Sequence, residues 1–442
     1  MKNMTNELQQ ILESVEKYAE KKLKNKSWTP GQMVNYAGPV FTAEEYVSAV
    51  KTILDGWLVL GDLGLKFERK FPRLMGKEYG VLTNSGSSSN LLMMAALTSK
   101  RGHNLPKGTK VLMPIAGFPT TLNPTIQMGF EPVFVDIELD TLNICLDGIE
   151  EIIEQNDVKV ITFAHVLGNP PNMDRVMEVV KKYNLILLED CCDALGSYYD
   201  GIPLGSFGEM ASCSFYPAHH ITMGEGGFVS CKTKEQEVIV KSFREWGRGC
   251  YCSGPKANAL KCGTCKVRFS EWIPSLPGEI FDHKYVYDEI GFNLKPIEMQ
   301  AAIGLEQLKK LDFIKQRRQE NYNQLFSIFE KYEQFFHIPR ATEKSDPNWF
   351  AFPLTIRKGA PFSRNDIIQH LESAAIQTRP YFAGNIMLQP AYDHMIDVNY
   401  AKNNFPNSTH AMLNTFFLGT SPVISAQQIE YIKTVVDSFF GG

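Results

Sequence analysis

The sequence lacks long apolar runs, a surplus of basic residues and internal repeats. Nowhere in its 442 residues do about 18 apolar residues follow one another, so we expect no membrane-spanning helix. Its 45 lysines and arginines are balanced by 49 aspartates and glutamates, which leaves no electrostatic footprint for nucleic acid or anionic lipid. The first residues lack the apolar core of a signal peptide. We therefore expect a cytoplasmic protein that binds neither nucleic acid nor membranes.

The sequence also lacks a fingerprint for a nicotinamide or flavin cofactor, so electrons for any redox step must come from another protein. Its composition, with 44% hydrophobic and 21% charged residues, is ordinary for a globular protein. At roughly 150 residues per domain, the length predicts two or three domains, or one large α/β domain with a smaller companion.

Short β-rich runs alternate with helical patterns from about Glu44 to Pro296. This alternation predicts an α/β fold with a mostly parallel sheet covered on both faces. The runs are Lys110–Pro114, Glu131–Val135, Val158–His165, Leu185–Glu189, Met210–Phe215 and Phe228–Cys231. Ligands of such sheets bind at the carboxyl ends of strands, so the residues that follow each run are the candidate functional residues.

We divide the chain into three parts. Residues 1–43 form an amphipathic N-terminal helical segment, 44–310 a large α/β domain, and 311–442 a smaller α+β domain. Residues 247–290 form a Cys-rich insertion in the large domain, and loops of that length are usually functional or disordered. Further predicted elements are a long helical pattern over 295–332, a strand at Trp349–Ile356 and helices at Arg364–Ala374 and Ala426–Phe440.

Polar residues follow three of the predicted strands. The small residues of 83–90, which include Gly86 and Ser87, lead into a helix whose free N–H groups could hold a phosphate, although such stretches are often simple N-caps. Asp190 closes a buried strand, where a carboxylate could pair with a cationic ring nitrogen or cap the following helix. The segment 214–227 begins at Ser214 and carries His219, which could act as a general base near neutral pH.

Four of the nine cysteines lie within sixteen residues, at positions 250, 252, 262 and 265. In a chain without a secretory signal, such a group indicates a metal or redox site rather than a set of disulfides. On these four thiols alone, a tetrahedral structural zinc site is the favoured interpretation.

The three polar segments, in this order, resemble those of the DegT/DnrJ/StrS-type sugar aminotransferases, which have pyridoxal-phosphate (PLP) fold type I. The resemblance covers roughly residues 40–435 and implies a large cofactor-binding domain with a smaller C-terminal domain. Ordinary members place a lysine five residues before the Gly-Glu-Gly-Gly motif at 224–227, and here that position is His219. Supporting blocks lie at 114–118, 133–136, 165–168, 291–295 and 378–380.

The histidine changes the expected chemistry. A lysine amine tethers pyridoxal phosphate covalently, whereas an imidazole cannot, although it can still move a proton. With a histidine at position 219 and with its cysteines, the sequence is similar to the CDP-4-dehydro-6-deoxyglucose 3-dehydrase branch of the family. That similarity implies an enzyme with pyridoxamine phosphate and a [2Fe–2S] cluster. Such an enzyme removes the C3 hydroxyl of a nucleotide-linked 4-keto-6-deoxyhexose on the way to the 3,6-dideoxyhexoses of surface polysaccharides.

The resemblance also implies residue roles. Gly86, Ser87 and Ser214 hold the cofactor phosphate, and Asn293 reaches it from the partner subunit of a homodimer. Phe118 stacks on the pyridine ring, and Asp190 pairs with its nitrogen.

His219 takes the proton whose removal drives loss of the C3 hydroxyl, and its neighbour His220 is structural. Arg379 and Asn385 contact the substrate. An NAD(P)H-dependent flavin or iron–sulfur reductase supplies the electrons.

For the cluster, the resemblance implies one cysteine beside the aspartate, a Cys-x-Cys pair after 57 intervening residues, and a fourth cysteine shortly after. Cys192, Cys250 and Cys252 match the first three. Cys265 fits the fourth better than Cys262, although the spacer is longer than in the family. With this resemblance, iron and sulfide become the expected occupants instead of zinc.

Two alternatives remain open at this stage. One is an iron-free 3-dehydratase that uses pyridoxamine phosphate and glutamate without an electron-transfer partner. The other is a non-catalytic, zinc-stapled relative that binds nucleotide sugars.

Overall fold

The computed structural model describes residues 6–24, 27–250 and 265–441. Cys252 and Cys262 lie outside the described residues. Within these ranges no helix combines the length and apolar character needed to cross a membrane. The α-helices are α1 (Asn6–Lys24), α2 (Ala43–Leu54), α3 (Asp62–Lys70), α4 (Gly86–Ala96), α5 (Pro119–Gln127), α6 (Ile149–Asn156), α7 (Met173–Lys182), α8 (Lys234–Arg244), α9 (Glu298–Gln307), α10 (Leu311–Phe329), α11 (Arg364–Ser373), α12 (Val398–Asn404), α13 (Pro406–Asn414) and α14 (Ala426–Phe439).

The strands differ widely in length, from two to six residues. They are β1 (Tyr79–Thr83), β2 (Lys110–Pro114), β3 (Glu131–Val135), β4 (Val160–Ala164), β5 (Ile186–Asp190), β6 (Tyr198–Tyr199), β7 (Ile202–Pro203), β8 (Met210–Ser214), β9 (Gly227–Cys231), β10 (Phe269–Ser270), β11 (Phe281–Asp282), β12 (Phe336–His337), β13 (Ser345–Asp346), β14 (Ala351–Ile356), β15 (Arg379–Pro380) and β16 (Thr415–Gly419).

Seven strands form the main sheet, in the order β1-β9-β8-β5-β4-β2-β3. The pairs β2–β3, β2–β4, β4–β5 and β5–β8 are parallel, and β9 runs antiparallel to both of its neighbours. The predicted α/β class with a mostly parallel sheet is therefore confirmed. Strand β5 lies in the middle, and its carboxyl end is where a ligand of such a sheet is expected.

Apolar clusters lie on both faces of this sheet, as its nearly continuous apolar strands require. A second sheet near the C-terminus is antiparallel, in the order β12-β14-β16-β15, and packs with α10, α11 and α14 around its own cluster. A fourth cluster joins the two regions, because Val166 and Ala218, which follow strands β4 and β8 of the main sheet, pack with Phe350, which precedes β14, and with Phe417 of β16.

The predicted runs coincide with strands β2, β3, β4, β5, β8 and β9, with ends shifted by at most two residues. Strand β1 is absent from the predicted runs. Its Gly80 interrupts the β-branched and aromatic pattern, and the ring of Phe228 occupies the space of a side chain there. The predicted 295–332 helix is two helices, α9 and α10, joined by a 3₁₀ turn at Leu308–Lys310.

Gly419 lies where the second sheet contacts the N-terminal region, so a substitution there tests this contact. A Cβ atom at this position would overlap the backbone carbonyl of Tyr36, which cannot rotate away. We expect Gly419→Ala to lower the free energy of unfolding by about 1–3 kcal/mol, measured by urea denaturation. Gly38→Ala is the matched control, because its Cβ would meet only Val423 at 3.6 Å. Equal midpoints for the two variants would contradict this close approach.

Candidate active site

Four hydrogen-bond donors converge on the buried carboxylate of Asp190, at the end of β5. Asn90 Nδ2 and Thr121 Oγ1 each donate to Oδ2 over 2.8 Å. The Cys192 backbone N–H and Ser212 Oγ donate to Oδ1 over 3.1 and 3.2 Å. Such bonds stabilise the charged form of a carboxyl group and fix its orientation. Asp190 is therefore suited to bind a cationic nitrogen.

The N-terminus of α4 lies beside Asp190, with almost no space between it and strand β8. Ser85 caps this helix, since its Oγ accepts from the Ser88 N–H over 3.1 Å. A Cβ atom on Gly86 would lie 2.5 Å from Ser214 Cβ and 3.1 Å from Cys192 Sγ. A glycine is thus required here, and the helix end leaves backbone N–H groups for an anion.

A cleft of about 550 Å³ opens above these groups. Its walls include most of the residues that the sequence singles out, namely Gly86, Ser87, Phe118, Asp190, Cys192, Ser214, His219 and Arg379. These residues come from five places in the chain. Four of the places are the ends of β1, β2, β5 and β8, at one edge of the main sheet, and the fifth is the start of β15.

An aromatic ring and a cation both line the cleft. Phe118 is 53% exposed despite its apolar side chain, and its ring lies 6.2 Å from that of Phe382. Arg379 stacks on Tyr36 at 4.4 Å and donates to the Thr378 carbonyl over 2.7 Å. The cleft therefore offers a flat apolar surface and a positive charge to a ligand.

His219 lies on the turn after β8, and its ring borders the cleft. Its Nδ1 is 3.4 Å from Asp193 Oδ1, and both side chains are largely buried. Burial, reinforced by the charge of Arg318, lowers the pKa of His219 to about 4. Burial and the charge of Asp190 raise the pKa of Asp193 to about 8. Near neutral pH the imidazole is therefore uncharged and can accept a proton.

Arg318, on α10, holds the backbone of this turn. Its guanidinium is 1% exposed and donates to the carbonyls of Ala218 and His219 over 3.1 and 3.2 Å, and to that of Phe350 over 2.9 Å. Burial lowers the pKa of Arg318 to about 10, so it keeps its charge at neutral pH. One buried cation thus joins the histidine turn to the beginning of β14.

His220 occupies a different environment from His219. It is 2% exposed, and its Nε2 donates to the Asn348 carbonyl over 2.8 Å. A carbonyl only accepts, so the proton is on Nε2. Burial lowers the pKa of His220 well below its usual value. This geometry makes His220 a packing residue that links the turn to the C-terminal region.

Two predicted site residues do not line the cleft. Asn293 is exposed and pairs through its backbone with Glu245. Asn385 is fully buried, and its side-chain amide donates to the Ala401 carbonyl over 3.0 Å and to Thr409 Oγ1 over 3.1 Å. Through its amide NH₂ group, Asn385 thus supports the loop that borders the cleft, and its Oδ1 has no hydrogen-bond partner among the described residues.

The described cysteines do not form a compact metal site. Cys192 lies at the cleft, and Cys265 Sγ is 2.9 Å from His283 Nε2. Within the described ranges, Cys192, Cys250 and Cys265 are not a set whose sulfurs all lie within 4.8 Å of one another. A two-iron cluster distributes its thiolates over two metal ions and does not require that spacing.

Another set of possible metal ligands is compact, and its carboxylate is already hydrogen-bonded. His165, Glu189 and Cys191 are completely buried behind the sheet, with ligand atoms within 4.8 Å of one another. The Glu189 carboxylate is 3.0 Å from His165 Nε2 and accepts the N–H groups of Gly205 and Gly208 over 2.9 and 2.6 Å. The Glu189 carboxylate therefore anchors the loop that contains Gly205 and Gly208 against β5.

Sequence reasoning missed the residues that support Asp190 and His219. Asn90 ends the segment 83–90, Thr121 follows the block 114–118, and Asp193 lies three residues after Asp190. Their polar side chains are equally typical of helix caps and turns. Arg318 lies in a helix rich in charged residues, where a cation usually faces solvent. Only the packing of α10 against the turn shows that it is buried.

The comparisons with known proteins agree with this geometry. Residues 41–437 match the model of the DegT/DnrJ/EryC1/StrS aminotransferase family. The chain is 42% identical to the lipopolysaccharide biosynthesis protein RfbH of Salmonella typhimurium, over 98% of each chain. It is 39% identical to the dTDP-4-dehydro-2,6-dideoxy-D-glucose 3-dehydratase of Saccharopolyspora spinosa, over 91% of this chain and 86% of that protein.

Among solved structures, the chain is similar to Escherichia coli GDP-4-keto-6-deoxy-D-mannose-3-dehydratase with bound hydrated PLP. The TM-score is 0.78 at 29% identity, over 91% of this chain and 100% of that one. The predicted PLP fold type I is therefore confirmed.

The different environments of the two histidines predict different effects on stability. We expect His220→Ala to lower the free energy of unfolding by about 2–4 kcal/mol, because it leaves a cavity and an unpaired Asn348 carbonyl. His394→Ala is the control, since its side chain is 75% exposed. Urea denaturation followed by circular dichroism measures both, and a His220→Ala midpoint equal to that of the control would refute the packing role.

Proposed function

Because the chain belongs to the DegT/DnrJ/EryC1/StrS aminotransferase family, we propose that it is a 3-dehydratase of nucleotide-linked 4-keto-6-deoxyhexoses. The observation that carries the proposal is His219, an uncharged imidazole at the position of the family's lysine, on the wall of the cleft that contains Asp190. Two of the relatives described above are named as 3-dehydratases, which supports the same reaction.

The residues of the cleft fit pyridoxamine phosphate, the cofactor that we propose in place of covalently bound PLP. Asp190 is oriented by four donors, the α4 end leaves N–H groups beside Gly86, and the exposed ring of Phe118 borders the cleft. When bound, the cofactor supplies a primary amine for the 4-keto group and an electron-withdrawing ring.

Each residue then has a definite task. Asp190 binds the protonated ring nitrogen, and Phe118 covers one face of the ring. Gly86, Ser87 and Ser214 hold the phosphate. His219 removes the proton that must leave before the C3 hydroxyl departs, since a neutral imidazole with a free nitrogen is a suitable base.

We propose that Arg379 contacts the anionic nucleotide part of the substrate, because its guanidinium lies on the cleft wall. Asn385 contributes indirectly by fixing the loop that bridges to Ala116.

We also propose a homodimer in which Asn293 completes the phosphate site of the partner subunit. Asn293 is exposed and lies outside the cleft of its own chain, so it is available to another chain. The next residue, Leu294, accepts a hydrogen bond from the Asn84 N–H over 2.9 Å, which fixes this segment near the start of α4.

The finer proposal is an iron–sulfur enzyme acting on a CDP-linked sugar in the cytoplasm. Cys192, Cys250, Cys252 and Cys265 hold a [2Fe–2S] cluster, and a partner reductase using NAD(P)H supplies the two electrons that reduce the dehydrated sugar. The support is the cysteine pattern, with soft thiolate donors suited to iron and sulfide, together with the similarity to a lipopolysaccharide biosynthesis protein.

A 3-dehydratase without iron, using glutamate as the amino donor, is the second candidate. The observation that favours it is that Cys265 Sγ contacts His283 Nε2 while Cys192 lines the cleft. In that case the cysteines near 250–265 bind zinc or no metal.

The central test is whether His219 is needed for C3–O cleavage. We expect His219→Asn to bind pyridoxamine phosphate normally but to lower the cleavage rate by at least about 100-fold, because the base is lost. The rate is measured as exchange of ¹⁸O between water and the C3 hydroxyl of CDP-4-keto-6-deoxyglucose, which requires no electron donor.

His394→Asn serves as the control for this experiment, since it makes the same change at an exposed histidine. Unchanged exchange in His219→Asn would remove this residue from the mechanism. Absence of exchange in the unmodified protein, with the cofactor bound, would contradict a dehydratase for the CDP-linked sugar, and its absence with the dTDP- and GDP-linked sugars as well would contradict the dehydratase proposal itself.

Metal content distinguishes the two forms of the proposal. For protein purified without oxygen, we expect about two irons and two acid-labile sulfides per chain. We further expect Cys265→Ser to lose iron and Cys262→Ser to keep it.

One zinc per chain without sulfide would instead favour the iron-free enzyme. Loss of iron only in Cys262→Ser would identify Cys262 as the fourth ligand.

A further inference from the structure

Two hydroxyl groups meet between the first turns of α4 and α5. Ser87 Oγ, on α4, donates to Thr120 Oγ1, on α5, over 3.2 Å, and both residues line the cleft. A hydroxyl group has one proton and two lone pairs. The Ser87 proton is therefore taken by Thr120, whereas the Thr120 proton has no acceptor among the residues that the structure describes. It is available to a ligand in the cleft.

Helix α5 is held in place on the C-terminal side of Thr120. The next residue, Thr121, donates through Oγ1 to Asp190 over 2.8 Å. The Tyr392 hydroxyl donates to Asn123 Oδ1 over 2.6 Å. Because both contacts lie within one turn of Thr120, its hydroxyl is presented at a fixed place. Little conformational entropy is then lost when a ligand binds to it.

The same two hydroxyl groups lie at the N-terminus of α4, where the proposed function places the cofactor phosphate. Gly86 precedes Ser87, and a Cβ atom on Gly86 would lie 2.5 Å from Ser214 Cβ. Ser214 Oγ accepts from the Tyr216 N–H over 3.4 Å, which leaves its own proton for a ligand. Hydroxyl groups from α4, α5 and β8 thus lie around one helix end. Hydroxyl donors and free N–H groups suit the acceptor oxygens of a phosphate.

We propose that Thr120 is a further phosphate-binding residue, which donates its hydroxyl proton to a phosphate oxygen of pyridoxamine phosphate beside Ser87. The assignment rests on the proposed function, because that function places the phosphate at the end of α4. The segment 118–121 then serves three parts of the cofactor. Phe118 covers the ring, Thr121 orients the carboxylate that binds the ring nitrogen, and Thr120 binds the phosphate.

Thr120→Val tests this contact because it removes the hydroxyl group with little change of shape. We expect the dissociation constant of pyridoxamine phosphate to rise by about 10- to 100-fold, as for loss of a hydrogen bond to a charged group. Isothermal titration calorimetry of the full-length protein measures it. Pyridoxamine, which lacks the phosphate, is the second probe, and we expect its dissociation constant to stay unchanged. An equal loss of affinity for both ligands would refute the phosphate contact.

Two further variants control this measurement. Thr434→Val makes the same change at an exposed threonine, whose hydroxyl donates to the Glu430 carbonyl within α14. We expect it to keep the affinity of the unmodified protein for pyridoxamine phosphate. Thr120→Ser keeps the hydroxyl group, and we expect it to keep this affinity as well. A loss in Thr120→Ser as large as that in Thr120→Val would contradict a role of the hydroxyl.

A crystal structure of the unmodified protein with pyridoxamine phosphate needs no variant. We expect Thr120 Oγ1 at about 2.5–3.0 Å from a phosphate oxygen, the usual range for such a hydrogen bond. A separation above about 3.5 Å would overturn the proposal even if Thr120→Val failed to fold.

The outcomes keep the two proposals separate. If the unmodified protein does not bind pyridoxamine phosphate, the proposed cofactor and the role of Thr120 fail together. If it binds the cofactor and Thr120→Val binds it equally well, the role of Thr120 fails alone. If the affinity depends on Thr120 but C3–O cleavage is absent with the CDP-, dTDP- and GDP-linked sugars, the proposed reaction fails and the role of Thr120 stands.

Discussion

The buried charge of Asp190 is the constraint on which the arrangement of the cleft depends. A carboxylate without solvent needs hydrogen bonds on every side that a ligand does not fill. Here helix α4, helix α5, strand β8 and the turn after β5 each supply one donor. Those four elements can meet only when β5 lies in the middle of the sheet with β8 at its side. The strand order of the sheet and the need to hydrogen-bond Asp190 therefore require the same arrangement of these four elements.

The turn that carries His219 is held by a buried cation, Arg318, whose hydrogen bonds are accepted by backbone carbonyl oxygens. Arg318 reaches from α10 to the turn and to Phe350, just before β14, so it bonds both regions of the molecule at once. Its charge also makes protonation of His219 less favourable. Packing between the two sheets and the chemistry of the base thus depend on a single guanidinium.

The alternation of apolar runs with helical patterns was sufficient to predict the α/β class and six strands of the main sheet, because such runs are a direct consequence of burial on both faces. It could not predict β1, whose glycine makes room for Phe228. At the site, small residues, a strand-ending aspartate and the histidine before a Gly-rich segment were recognisable from chain order alone. Asn90, Thr121, Asp193 and Arg318 were not, since their roles exist only once distant segments meet. For the same reason the sequence could not tell that the Asn385 amide is buried and bonded to Ala401 and Thr409.

The clamp formed by Arg318 has a consequence for how ligands exchange. If the C-terminal region rotated away from the main sheet, the guanidinium would lose its carbonyl partners and the Val166, Ala218 and Phe350 contacts would be exposed together. Such an opening would leave a buried cation without partners and would expose apolar surface, so each of these contacts favours the closed arrangement of the two sheets. In that arrangement the mouth of the cleft is the route by which a ligand reaches Asp190 and His219.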